Sequence, residues 1–121
     1  MTKVLICGSR DYTDYETFSK IAQQILKEYS SIEIISGGAR GADALAERFA
    51  KEYSYKIQVF PADWDKHGKK AGMIRNNQMI KEIKTCDTPI VIAFWDGKSK
   101  GTKNTINLAK KENIHTYIKY V

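Results

Sequence analysis

Short apolar runs alternate with longer stretches of helical spacing along the whole chain. Lys3–Cys7 (KVLIC), Ser31–Ile35, Ile57–Phe60, Pro89–Trp95 and His115–Lys119 read as five strands, with Pro61 closing the third. The unbroken apolar run of Pro89–Trp95 suits a central strand covered on both faces. Between the strands, apolar residues recur every three or four positions. Phe18, Ile21, Ala22, Ile25, Leu26 and Tyr29 predict a helix over Tyr15–Tyr29, and Ala42, Leu45, Ala46, Phe49 and Tyr53 predict one over Ala42–Tyr53. Two more are expected from about Met73 to Lys84 and from about Thr102 to Glu112. Thr13 and Glu16 have the spacing of a capping box at the start of the first helix.

The resulting order is βαβαβαβαβ. Strands separated by helices pair in parallel through right-handed crossovers, so the expected fold is α/β: a Rossmann-like three-layer sandwich around a five-stranded, mostly parallel sheet. No repeat, linker or low-complexity tract interrupts the pattern, and residues 1–121 read as a single domain. In such a sheet, ligands bind beyond the carboxyl ends of the strands, where the strand order switches. The unusual residues fall in those strand-to-helix connections, while the opposite connections (EYSSIE, EYSYK, CDTP, KENI) are plain.

The most informative segment is Ser36–Asp43, SGGARGAD. Gly37, Gly38 and Gly41 let backbone amides approach a ligand closely, and the amino terminus of the following helix favours an anion. Arg40 can fork onto phosphate oxygens. Asp43 has two readings: a carboxylate that caps loose amides of the helix, or an acceptor for a sugar hydroxyl. The segment lacks the Gly-Lys-Ser/Thr ending of a Walker loop and is not GxGxxG. After the first strand, the Gly8 amide and the Ser9 hydroxyl can hold a phosphate with Arg10 closing over it. After the fourth, Asp96 to Thr102 (DGKSKGT) is a candidate anion nest in which Gly101 and Thr102 open a helix. The long connection Ala62–Met79 holds Trp64, His67, Arg75 and Asn76, and a long loop with an aromatic residue reads as a binding loop or lid. Trp64 offers a flat surface for a base or a wedge for the core edge.

Composition narrows the class. No apolar run approaches the length of a membrane helix, and the four apolar residues near the amino terminus are followed by Gly, Ser and Arg. The expected location is therefore the cytoplasm, with no membrane partner. Cys7 and Cys86 are too far apart in sequence to suggest a disulfide framework. His67 and His115 stand alone, so no metal site and no cofactor are read from the sequence. The formal net charge of +6 lies wholly in residues 62–121, where twelve Lys/Arg face six Asp/Glu, against eight and eight before them. That excess favours anionic ligands, although Lys110, Lys111 and Lys119 read as a solvated surface.

The motifs GSRDYTD, SGGARGADALAERFAKE, ADWDKHGKKAGMIRNNQMI and the Gly101-Thr102 pair together resemble the YspA/cpYpsA-related branch of the SLOG superfamily, over nearly the whole chain. That superfamily includes DprA/Smf and the lonely-guy phosphoribohydrolases, and its small members occur widely in bacteria and phages. The resemblance implies a Rossmann-like fold, a nucleotide or nucleotide-derived ligand, and a possible phage or prophage origin. GSRDYT and SGGARGAD are similar to the motifs of DprA, whose Rossmann-like core binds single-stranded DNA. Met73 to Met79 is similar to the arginine-bearing helix start of the lonely-guy enzymes, which release a base from a nucleoside monophosphate. Those enzymes carry a catalytic glutamate three residues beyond their Gly-Thr pair, where this chain has Thr105. An N-glycosidase here would therefore use another carboxylate, Asp43 or Asp96, with Arg75 positioning the substrate.

Three functions are expected in this order. The first is a nucleotide-binding sensor or carrier with Gly8, Ser9, Arg10, Gly37, Gly38, Arg40, Gly41, Arg75, Asn76, Asp96, Gly101 and Thr102 at the site, Trp64 near the base and Asp43 near the ribose. The second is the N-glycosidase, with Asp43 and Arg75 as its catalytic pair. The third is single-stranded DNA binding. A homo-oligomer is a candidate assembly, since exposed helices on a small sheet commonly pair.

Overall fold

A computed structural model describes all 121 residues. Its elements are β1 (Thr2–Gly8), α1 (Tyr15–Leu26), β2 (Ile32–Ser36), α2 (Ala42–Glu52), β3 (Lys56–Val59), α3 (Trp64–His67), α4 (Ala71–Ile83), β4 (Thr88–Trp95), α5 (Lys100–Lys111) and β5 (His115–Tyr120). A 3-10 turn, Gly68–Lys70, joins α3 to α4. The five strands are all parallel, in the order β3-β2-β1-β4-β5. No helix is long and apolar enough to cross a membrane.

Alternation along the central strands builds two cores. Val4 and Ile6 of β1 and Ile90, Ile92 and Phe94 of β4 face α1 and α2, where Phe18, Ala22, Ala46 and Phe49 meet them. Leu5 and Cys7 with Val91 and Ala93 face the other way, against Met79, Ile80 and Ile83 of α4 and Ile106 and Ala109 of α5. This is the period-two pattern of a strand buried on both sides. Phe18 stacks on Phe94 at 4.5 Å between ring centres and meets Phe49 edge-on at 6.0 Å. The aromatic cluster ties both helices of that layer to the sheet.

Local expectations need correction in two places. The first helix is capped by Asp14, not by the Thr13–Glu16 pair. The Asp14 carboxylate accepts from the amide and the hydroxyl of Thr17 at 3.1 and 2.7 Å, so the cap falls one residue later than the Thr13–Glu16 spacing implied. The segment after Pro61 is not an extended loop. Asp63 accepts from the Lys66 amide at 3.1 Å and caps α3, and α4 begins two residues before Met73. Cys7 and Cys86 are free thiols.

At the amino-terminal end of the sheet, Lys3 and Glu33 are register partners and pair at 3.7 Å, and Lys3 also contacts Glu82 of α4. Gln58 of β3 donates to Glu33 at 3.3 Å. The cluster fastens that end of the molecule, and the candidate site lies at the other.

Candidate functional site

Strand order reverses at β1, which is flanked by β2 on one side and β4 on the other. The connections leaving the carboxyl ends of β1 and β4 therefore diverge and leave a crevice. Two glycines bring the walls together. A β-carbon on Gly8 would collide with the Phe94 carbonyl and stand 2.8 Å from the Ala42 β-carbon. Gly41 holds φ at +74°, and a β-carbon there would run into the backbone of Ser9 and Arg10. The Ala42 amide, at the first turn of α2, donates to the Ser9 carbonyl at 3.1 Å.

The connection after β4 is closed on itself. Asp96 Oδ1 accepts from the amides of Lys98 and Ser99, both at 2.8 Å, and Oδ2 accepts from the Ser9 hydroxyl at 3.3 Å. Those backbone bonds hold the Asp96 carboxyl below the usual range. Ser99 caps α5, accepting from the Thr102 amide at 3.4 Å. The expected anion nest thus has its own carboxylate in place of a ligand, and the Ser9 hydroxyl is aimed at Asp96. Asp96 cannot serve as a proton donor near neutral pH.

Arg75 and Asp43 dominate the crevice. Arg75 Nη1 donates to the Gly37 carbonyl at 2.5 Å and to the Phe60 carbonyl at 3.5 Å, and Nε donates to Asn76 Oδ1 at 3.0 Å. Its Nη2 makes no hydrogen bond to protein. Burial lowers the Arg75 pKa, opposed by the Asp43 charge. Asp43, 7% exposed, accepts from the Ala39 amide at 3.1 Å. Burial pushes its carboxyl up to about 6, against the pull of that amide and of Arg75. Burial also raises the Cys7 thiol, which is neutral at physiological pH.

These residues line a concavity of about 430 Å³, counting its open mouth, that runs from Cys7 and Gly8 to Gly101 and Thr102. A second, of about 360 Å³, runs from Gly37 and Gly38 past Pro61 and Ala62 to Trp64. Arg10, Ala39 and Arg75 line both, so the two form adjoining halves of one trough. Trp64 stands at the far end, 52% exposed.

Of the residues singled out in the sequence, Gly8, Arg10, Asp43, Arg75, Asn76, Gly101 and Thr102 line the first half and Gly37, Gly38 and Trp64 the second. Ser9 and Gly41 lie beneath the site and hold its walls. Arg40 lies apart: it is exposed, pairs with Asp11 at 3.8 Å, and borders only a shallow depression beside Arg10 and Trp64. Asn76 is buried, with its amide engaged by neighbours on both sides. Lining residues that were not singled out as ligand contacts are Cys7, Ala39, Met79, Ser99 and Thr105 in the first half and Pro61 and Ala62 in the second. Ser99 alone was findable, as a serine three residues before Thr102 at a helix start. Thr105, in the position of the lonely-guy glutamate, lies 1% exposed at the edge of the first half and donates to the Gly101 carbonyl at 3.4 Å.

The profile of the YspA, cpYpsA-related SLOG family (YAcAr) matches residues 2–67, which include β1, its Gly-Ser-Arg corner and the whole SGGARGAD segment. The chain belongs to that family. It is similar to the Gene 61 protein of Mycobacterium phage D29, 34% identical over 120 residues, covering 94% of this chain and 93% of that protein. This agrees with the occurrence in phages that the motifs implied. The SLOG fold also matches the X-ray structure of DNA processing protein A (DprA) from Streptococcus pneumoniae, with a TM-score of 0.73 and 19% identity, over 98% of this chain and 50% of that one. DprA from Helicobacter pylori, described for its single-stranded DNA binding mode, matches with a TM-score of 0.60 and 21% identity, over 97% of this chain and 64% of that one. The chain thus spans about half to two thirds of these DprA chains, and the likeness is one of fold.

Proposed function

We propose that this SLOG domain binds a nucleotide or nucleotide-derived ligand in the trough beyond β1 and β4, as a sensor or carrier. The observation that carries the reading is the shared wall: Arg10 and Arg75 border both halves, with Asp43 at the floor of one and Trp64 at the end of the other. An anionic group between two guanidiniums, a hydroxyl near Asp43 and a planar base against Trp64 together match a nucleotide's three chemistries. The free Arg75 Nη2 supplies the donor for a phosphate oxygen.

The test is a thermal-shift panel of mono-, di- and cyclic nucleotides with wild type and Arg75→Gln, alongside mass spectrometry of small molecules released on denaturation. A nucleotide should raise the melting temperature of wild type and leave Arg75→Gln unmoved. If no nucleotide shifts wild type and none co-purifies, the reading fails.

A second reading, single-stranded DNA, is favoured by the fold likeness to a DprA described as binding it and by the basic residues 62–121. A strand releasing several counterions would lose affinity steeply with salt, and a mononucleotide would not. The N-glycosidase reading rests on Asp43, whose carboxyl at about 6 is near the range of a working acid or base. Release of free base by wild type and not by Asp43→Asn would establish it, and no turnover on any common monophosphate would remove it.

A further inference from the structure

We infer that Asn104, acting through Asn76, positions the Arg75 guanidinium and so fixes its free Nη2 toward the trough. This rests on reading the trough as an anion site. The deciding feature is a hydrogen-bond chain whose direction is forced. Arginine has donors and no acceptor, so Asn76 must turn Oδ1 toward Arg75 Nε, at 3.0 Å. Its Nδ2 must then face the other way, where it meets Asn104 Oδ1 at 3.0 Å and the Gly101 carbonyl at 3.4 Å. Position 104 is therefore required to offer an acceptor. An aspartate would serve there, an alanine would not, and a lysine would oppose it.

The chain also joins separate parts of the fold. Asn104 is on α5, Asn76 and Arg75 are on α4, and Arg75 continues to the carbonyls of Gly37 after β2 and Phe60 after β3. Two connections beside the trough thus meet one guanidinium, which Asn76 links to α5. Asn76 is 5% exposed, and burial raises the cost of leaving its amide unpaired. Asn104 is only partly buried and does not line either half of the trough, so it acts on a ligand through Arg75 alone.

The experiment compares wild type, Asn104→Ala and Asn104→Asp in the full chain. Alanine is a strong helix former, and circular dichroism with a melting curve checks that each variant is folded. The first measurement needs no ligand: the NMR signal of the Arg75 Nε–H, identified by its loss in Arg75→Lys. Wild type should show a resolved, slowly exchanging proton. Asn104→Ala should speed its exchange about tenfold, and Asn104→Asp should restore it. The second uses AMP and a thymidine oligonucleotide as probes. Asn104→Ala should weaken whichever binds by about three- to tenfold, and that effect should vanish in an Arg75→Lys background, as coupled residues require.

An Arg75 Nε–H that is unchanged in folded Asn104→Ala overturns the inference, whatever the probes do. If that signal collapses in Asn104→Ala while neither probe binds wild type, the positioning stands, AMP is removed as the ligand, and the nucleotide panel decides the reading of the trough. If an affinity loss from Asn104→Ala persists undiminished in the Arg75→Lys background, Asn104 is merely structural and the inference fails.

Discussion

Asp43 and Arg75 crowd the same face of Gly37 without closing into an ion pair. A β-carbon on Gly37 would stand 2.5 Å from Arg75 Nη1 and 2.9 Å from Asp43 Oδ2. The glycine is what lets a buried carboxylate and a half-buried guanidinium share one corner, each held by backbone: Asp43 by the Ala39 amide, Arg75 by the Gly37 carbonyl. Opposite charges are kept near enough to influence each other's protonation, and a donor on Arg75 stays free for a ligand.

Gly37→Ala should therefore injure binding as well as folding. The new methyl displaces the far end of a flexible arginine, which costs the fold about 1.5–3 kcal/mol for the lost charge-assisted bond to Gly37. Ligand affinity should fall at least tenfold, because Nη1 and the Asp43 carboxylate both move. Calorimetric affinity set against a urea midpoint measures the two effects. A variant that loses several kcal/mol of stability while binding normally would contradict this account.

The pH dependence of stability should report Asp43. Its carboxyl titrates near 6 in the folded protein against 3.8 for the ordinary group, so the native state holds its proton more tightly than the unfolded chain. Stability from this group is full below about pH 4 and declines as pH rises through 6. The total is about 3 kcal/mol for a shift of about two units. Asn at this position accepts from the Ala39 amide without carrying charge. Asp43→Asn should match wild type near pH 4 and exceed it above pH 6, with the gap opening between those values. Melting curves across pH 4 to 8 decide it, and a gap that stays constant over that range rules the carboxyl out as its source.

How far the sequence reaches is clear from particular residues. The five strands and their mostly parallel pairing were legible because apolar runs, glycine corners and helical spacing agree with one another, while the strand order came from the structure. The α3 turn was not, since Trp64–His67 has no apolar stripe and is fixed by a cap and the 3-10 turn behind it. Within the site, glycines and arginines stood out by type, but type could not say where a side chain goes. Arg10 borders both halves of the trough while Arg40, in the stronger-looking motif, lies on the rim beside Asp11. Asp96 looked like part of an anion nest and instead fills one, because a carboxylate two and three residues before free amides folds back onto them. Asn104 gave no signal, since its meaning depends on a partner 28 residues away.

Phe18 should be the most sensitive position of the core. It is fully buried between Phe94 and Phe49, joining α1, α2 and β4. Phe18→Ala removes a ring that no neighbour can replace and should cost about 3–5 kcal/mol. Denaturant unfolding checks this, and a loss under 1 kcal/mol would mean that the aromatic cluster does not hold the layer.

Tyr12 should respond in the opposite sense. Its ring stacks on Phe94 at 5.7 Å, but its hydroxyl is buried without a hydrogen-bond partner. Removing an unpaired polar atom spares its desolvation cost, so Tyr12→Phe should leave stability unchanged or raise it by about 1 kcal/mol. A clear loss in thermal unfolding would reveal a partner for that hydroxyl.

The two exposed arginines of the glycine corners should separate sharply in ligand binding. Arg10 borders both halves of the trough and adds to the field at Asp43 and Arg75. Arg40 is 75% exposed at its side chain and already shares its charge with Asp11. An exposed pair of that kind contributes little, and water screens it from an anion in the crevice. Arg10→Ala should weaken nucleotide affinity about tenfold or more, the loss of one charge-assisted contact, while Arg40→Ala should change it less than about threefold. Titrations at low and physiological salt distinguish contact from field, since a direct contact by Arg10 keeps most of its effect in salt. Equal losses from the two variants would mean that the ligand lies on the rim beside Trp64 and not in the crevice over Gly8.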